Sequence, residues 1–227
     1  EDLGEMDMAS LTVAPGPRSV ATFNVELFFD TECDTGGCDA DSFEQVPSMI
    51  ELMARYQETG AAIARMDADV LVLQELEKEH VFESLVAASM VGYKTLAFGE
   101  TGAPGSIDVA IATKGELIKV ERHRESEPLM LEDGSQSRFA RELLEVHTRI
   151  DGAYVVVFGA HFISKVRPTN TVRRVAEAKK AAELAGYART SHPDALIVLA
   201  GDLNDTPDSG PLLALEEGGF RLTSEGR

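Results

Sequence analysis

The chain is poor in cysteine and in basic residues, and has no apolar run approaching the length of a bilayer span. Lys and Arg number 21 against 39 Asp and Glu in 227 residues, a formal charge of -18. That balance argues against a basic surface that grips nucleic acid non-specifically. It leaves room for an acidic site in which a divalent metal supplies the local positive charge. Without a long apolar run there is no expectation of a membrane span. The chain starts at Glu1 rather than Met, consistent with a trimmed N-terminal segment, and no signal peptide is visible. The only two cysteines, Cys33 and Cys38, flank a short acidic loop with two glycines. No second Cys or His pair accompanies them, so a zinc site is not indicated. The loop can close as a small disulfide ring, the alternative being two exposed thiols. A disulfide predicts a secreted or periplasmic protein.

What is present is enough for a sizeable core, since 44% of residues are hydrophobic, ordinary for a globular protein. Residues 1–18 are acidic and then Pro/Gly-rich, and predict a flexible arm ahead of a domain over 19–227. Ser19–Val25 alternates as a strand. Pro47–Met66 has helical spacing interrupted by Gly60, Asp69–Gln74 is a continuously apolar strand, and Val81–Met90 is helical. Strands are expected at Tyr93–Phe98, Ile107–Thr113, Leu117–Arg122, Phe139–Arg149 and Tyr154–His161. A helix over Thr169–Tyr187, a strand over Ala195–Ala200 and a helix over Gly210–Glu217 complete the order. Two face-to-face sheets with helices outside accommodate this α/β sequence.

Polar residues collect at the ends of these apolar runs. Asn24 follows the first, Glu75 the second, His161 a later one, and Asp202 and Asn204 the last. Asp202 and Asn204, two apart at a strand end, are expected to point the same way. Taken singly, each has an ordinary reading as turn former, solvated carboxylate, structural histidine or helix cap. Together they suit one edge of a sheet where a hard cation takes one or two carboxylates and keeps positions for water and phosphate. The acidic loop with Asp30, Glu32, Asp34, Asp39 and Asp41 misses the EF-hand spacing. It reads as a solvated loop, with a structural Ca²⁺ site as the sharper alternative.

These segments resemble the endonuclease/exonuclease/phosphatase superfamily. Thr22-Phe23-Asn24-Val25-Glu26 resembles its first motif, Val72-Leu73-Gln74-Glu75 its metal-binding glutamate, and Ile107-Asp108-Val109-Ala110-Ile111 a strand common in bacterial members. Ala160-His161-Phe162-Ile163-Ser164-Lys165 and Gly201-Asp202-Leu203-Asn204-Asp205 resemble its histidine and Asp-Asn motifs, and Phe139-Ala140-Arg141-Glu142 an Arg-Glu strand. The resemblance implies a four-layer α/β/β/α sandwich of two mixed sheets with outer helices, lacking its last strands in this chain. It implies Mg²⁺, with Mn²⁺ as a substitute, held by Glu75 with Asn24 beside it. Asp202 would orient the attacking water, Asn204 would position phosphate, and His161, held by Glu142, would stabilise or protonate the phosphoryl group. Arg141, Lys165 and Asp108 are the further phosphate or substrate contacts.

The family's closing Asp-His pair occurs nowhere in the chain, so little activity is expected of these residues alone. Leu27 and Ile163 stand where relatives often have Asn and Lys. The expected function is metal-assisted hydrolysis of a phosphate ester, most simply by a secreted nuclease. A phosphatase or phospholipase acting on a small or lipid head-group ester, and a non-catalytic binding protein, are the alternatives. Arg138, Arg141, Lys165, Arg167, Arg173 and Arg174 cluster near the motifs and mildly favour a polyanion. Nothing in the sequence specifies an oligomeric state.

Overall fold

The computed structural model describes residues 18–223. The expected arm therefore lies outside the described residues, apart from Arg18. Two four-stranded sheets stack face to face. The first runs β1-β2-β4-β3, from β1 (Val20–Phe28), β2 (Val70–Leu76), β4 (Asp108–Thr113) and β3 (Thr95–Gly99). The second runs β10-β9-β8-β5, from β10 (Leu196–Asp202), β9 (Ala153–His161), β8 (Leu144–Ile150) and β5 (Glu116–Arg122).

The apolar runs are continuous because both faces of these strands are covered. Leu71, Leu73, Ala110 and Ala112 turn outward under α1 (Met49–Met66) and α2 (Glu79–Ser89). Val70, Val72, Val109 and Ile111 turn inward onto Leu144, Val146, Val155 and Val157 of the second sheet. Val156, Phe158 and Ala160 face out beneath α3 (Asn170–Ser191) and α4 (Gly210–Glu217). The four-layer α/β/β/α sandwich is thus present, built from three apolar clusters.

Helix α1 starts on a reciprocal capping box, Ser48 with Glu51. Gly60, which seemed a break, lies inside it. A Cβ there would meet the Ala88 backbone at 3.0 Å, so this glycine lets α1 and α2 approach closely. Two expectations shift. Strand β8 begins at Leu144, and Phe139–Leu143 is irregular, with the Ala140 N–H turned to the Glu177 carboxylate rather than to a neighbouring strand. A short hairpin of β6 (Leu129–Met130) and β7 (Gln136–Ser137), too brief to show a period, was not foreseen. Cys33 and Cys38 are joined as a disulfide. Among the described residues no helix is long and apolar enough to cross a membrane.

Candidate metal centre

The topology gathers four strand ends at one rim. β1 runs parallel to β2, and β10 parallel to β9 with Asp202 in register with His161. Register shifts lie between Asn24 and Phe28 of β1 and between Gln74 and Leu76 of β2. Such bulges re-aim side chains next to sites. Glu75, the extra residue of the second bulge, has φ 69°, and Glu26, Leu27 and Asn204 also have positive φ. Asn adopts this region readily, but Glu26, Leu27 and Glu75 are strained by roughly 1–2 kcal/mol each, so the backbone is over-determined where the motifs converge. Gly201 sits at φ 149° with no room for a Cβ against the Ala160 backbone; it lets β10 close on β9.

One oxygen of Glu75, one of Asp202 and a ring nitrogen of His161 lie within 4.8 Å of one another. His161 Nε2 stands 3.9 Å from Glu75 Oε1 and 4.0 Å from Asp202 Oδ2. The Asn24 amide bridges the two carboxylates, donating to Glu75 Oε1 at 2.8 Å and to Asp202 Oδ2 at 3.1 Å. Its oxygen accepts from Glu26 N at 2.9 Å, which fixes the amide's sense. Asn24 therefore presents nitrogen, not a ligand oxygen, to the centre. The other Glu75 oxygen accepts from Leu27 N at 2.8 Å, and the other Asp202 oxygen from Asn204 N at 2.8 Å.

Among the described residues neither carboxylate forms an ion pair with Lys or Arg. Two carboxylates sharing one neutral donor beside an imidazole form the arrangement that a divalent cation relieves. These residues fit such an ion. Burial and Arg141 push His161 down to about 4 against the pull of Asp202 and Glu75, so its ring is neutral at ordinary pH. Among the described residues His161 Nδ1 is buried without a hydrogen-bond partner.

Other expected residues have different neighbours. Glu142 does not hold His161: its Oε1 accepts from the backbone N–H groups of His123 and Arg124, at 2.6 and 2.8 Å. Asn204, in a left-handed turn, donates its amide to Phe162 O at 2.9 Å and braces the two motif loops against each other. Asp108 is fully buried and does not reach a substrate directly. Its Oδ2 accepts from Ser106 Oγ at 2.8 Å, and burial, helped by Glu100, pushes it up to about 6. Lys165 is paired with Asp205 at 2.8 Å.

The basic cluster is largely neutralised as well. Arg174 pairs with Asp205 at 3.0 Å, Arg138 with Glu125 at 3.0 Å, and Arg173 donates to Arg138 O at 2.7 Å. Arg141, half-buried, has no hydrogen-bond or ion-pair partner among the described residues, though Glu177, Glu75 and Asp108 all favour its charge against burial. In the acidic loop, Asp30, Glu32 and Asp34 converge on the Lys78 ammonium at 2.9, 3.3 and 2.9 Å. An internal cation occupies the place between them that Ca²⁺ would take.

Two residues that shape the rim escaped notice in the sequence. Glu177 of α3, fully buried, accepts from Ala140 N and Ile163 N at 2.8 Å each, so one carboxylate ties the Arg141 loop to the segment after His161. A lone Glu on an alanine-lined face was its only signal. Arg55 of α1 donates to the carbonyls of Val25 and Leu27 at 3.0 Å each, and to that of Glu26, holding the strained turn after Asn24.

The fold has known counterparts. TDP2 from Caenorhabditis elegans is 17% identical, with TM-score 0.55, over 78% of this chain and 47% of that one; the chain thus spans about half of that protein. Sphingomyelinase C from Streptomyces griseocarneus is 20% identical, with TM-score 0.59, over 90% and 70%. D. rerio TDP2 complexed with a single-strand DNA product is 16% identical, with TM-score 0.54, over 87% and 64%. At these identities the likeness is one of fold. No curated protein matches the chain. A family model, Endonuclease/Exonuclease/phosphatase family, matches residues 19–217. That match spans both bulges, the imidazole and the Asp-Asn turn, and the chain belongs to this family of metal-dependent phosphoesterases.

Proposed function

We propose that the protein hydrolyses phosphate esters at this rim, with Glu75 holding a divalent metal, Mg²⁺ before Mn²⁺. The convergence of Glu75, His161 and Asp202 within 4.8 Å carries the reading. The metal supplies neutralisation of charge on the phosphoryl group and a more acidic water. Asp202 would orient the attacking water and take up its proton. Asn24 keeps the Glu75 and Asp202 carboxylates at a fixed separation. His161, neutral because burial and Arg141 lower it to about 4, donates an N–H to a phosphoryl oxygen. Arg141 takes a second phosphate oxygen, its guanidinium being without a protein partner among the described residues. Asn204 acts through the backbone, setting the turn that aims Asp202. The disulfide supports export to an oxidising compartment.

A nucleic-acid strand is the first substrate, supported by the D. rerio TDP2 bound to a DNA product. The second reading, a small or lipid head-group ester, is favoured by the pairing of Arg138, Arg173, Arg174 and Lys165 within the protein. That pairing leaves Arg141 and the exposed Arg167 rather than a continuous basic track.

The test takes protein made from its complete coding sequence, with Mg²⁺, against supercoiled plasmid, RNA, phosphomonoesters and sphingomyelin vesicles, with Glu75→Ala and His161→Ala alongside. Plasmid nicking lost in both variants supports the nuclease. Turnover confined to vesicles or monoesters supports the second reading. Equal activity in all three proteins, or none on any ester, refutes the hydrolase.

A further inference from the structure

A second group of imidazoles and carboxylates lies on the outer face of the second sheet. Strands β5 and β8 place Glu121 directly opposite Glu145, and Lys119 opposite His147. Val120 and Val146 turn into the inter-sheet core, so Lys119, Glu121, Glu145 and His147 share the opposite face. His123 follows β5 at once. His123, Glu145 and His147 are 7%, 5% and 3% exposed. Two carboxylates opposed across an antiparallel pair repel, and the burial of Glu145 deepens the penalty on its side. At present His123 Nε2 meets Glu145 Oε2 at 2.7 Å, while the half-exposed Lys119 meets Glu121 at 2.6 Å.

Donor atoms of Glu121, His123 and Glu145 lie within 4.8 Å of one another. The remaining Glu145 oxygen is held by His147 Nε2 at 2.6 Å, and the other ring nitrogen of His147 meets the Tyr154 hydroxyl at 2.9 Å. Tyr154 in turn stacks on His192 at the end of α3, with ring centroids 4.5 Å apart. Supporting hydrogen bonds of this kind orient metal-binding carboxylates. We propose that Glu121, His123 and Glu145 form a second metal site, separate from the rim, for Zn²⁺ or a similar borderline divalent ion, with water completing the shell.

The imidazole nitrogen selects a borderline ion over Mg²⁺ or Ca²⁺. Tetrahedral ligands at zinc distances stand about 3.3 Å apart, so His123 and Glu145 separate slightly and Lys119 swings into solvent. The ion rivets β5, an edge strand of its sheet, to β8.

The test titrates Zn²⁺ calorimetrically into chelator-stripped full chain in excess Mg²⁺, with Co²⁺ absorption reporting coordination. Glu121 is partly exposed, so Glu121→Gln is expected to fold; His123→Gln is the second variant. The expected result is a Zn²⁺ site that survives Glu75→Gln, disappears in Glu121→Gln and in His123→Gln, and raises the Tm of the Glu75→Gln protein. Zn²⁺ binding abolished by Glu75→Gln alone overturns the proposal. So does a stoichiometry that neither Glu121→Gln nor His123→Gln changes, or no binding at all.

Discussion

Among the described residues, two clusters of imidazole and carboxylate groups, Glu75–His161–Asp202 and Glu121–His123–Glu145, are built from the same kinds of side chain, and they differ in how far each is satisfied. On the outer face of the second sheet, Glu145 is gripped by His123 and His147 at 2.7 and 2.6 Å. At the rim, His161 stands 3.9 and 4.0 Å from its carboxylates, and its Nδ1 has no partner among the described residues. The first cluster stabilises what surrounds it. In the second, Asn24 and the Leu27 amide hold the carboxylates, while Arg55 and Glu177 fix the backbone around them. A closed cluster contributes chiefly to stability, and an open one to chemistry.

Substitutions separate the two. Glu75→Ala is expected to lower metal-dependent hydrolysis by at least about 10³-fold without lowering Tm, measured by initial rates and thermal melts on one preparation. His161→Ala follows, with a loss of roughly 10²–10⁴-fold in kcat. An unfolded variant in either case would mean the rim is structural too.

On the other side, Glu145→Gln is expected to leave hydrolysis intact and destabilise. Burial opposes ionisation of Glu145, but His123 and His147 overcome it and lower the carboxyl from 4.5 to about 2. Its folded pKa is depressed, so its contribution is fully present above pH 4.5 and is lost as pH falls toward 2, on the order of 3 kcal/mol in all. Denaturant melts in chelator at pH 7 and pH 3 should show a smaller acid loss in the variant than in the unsubstituted protein. Equal losses would place the acid-sensitive charge elsewhere.

Glu177→Gln keeps one acceptor of two. It is expected to lower stability by about 1–3 kcal/mol and kcat several-fold, with restoration of neither by added Mg²⁺. Smallest is Lys165→Ala. The side chain is half-exposed and paired with Asp205, so a change within about 1 kcal/mol and less than threefold in kcat/KM is expected. A larger effect would return Lys165 to the phosphate.

Much of the layering was legible in the sequence because burial on both faces leaves an unbroken apolar run, as in Asp69–Gln74, and because strand ends expose their polar residues together. Glu75, His161 and Asp202 were expected together on that ground, and they lie within 4.8 Å of one another. Glu142 was misread because a side-chain bond to the His123 and Arg124 amides depends on how β5 and β8 are joined, which spacing does not encode. Asn204 was expected to point with Asp202, but φ 52° takes it out of strand geometry. The basic cluster failed for a similar reason. Proximity in sequence says nothing of partners such as Asp205 and Glu125, which neutralise those charges only once the chain is folded.

The double grip of Glu177 has a mechanical consequence. Because a single carboxylate on α3 fastens the Arg141 loop and the stretch behind His161, neither can swing aside without dragging the other. Those two segments are thereby fixed relative to one another, while Arg55 separately pins the turn at the end of β1.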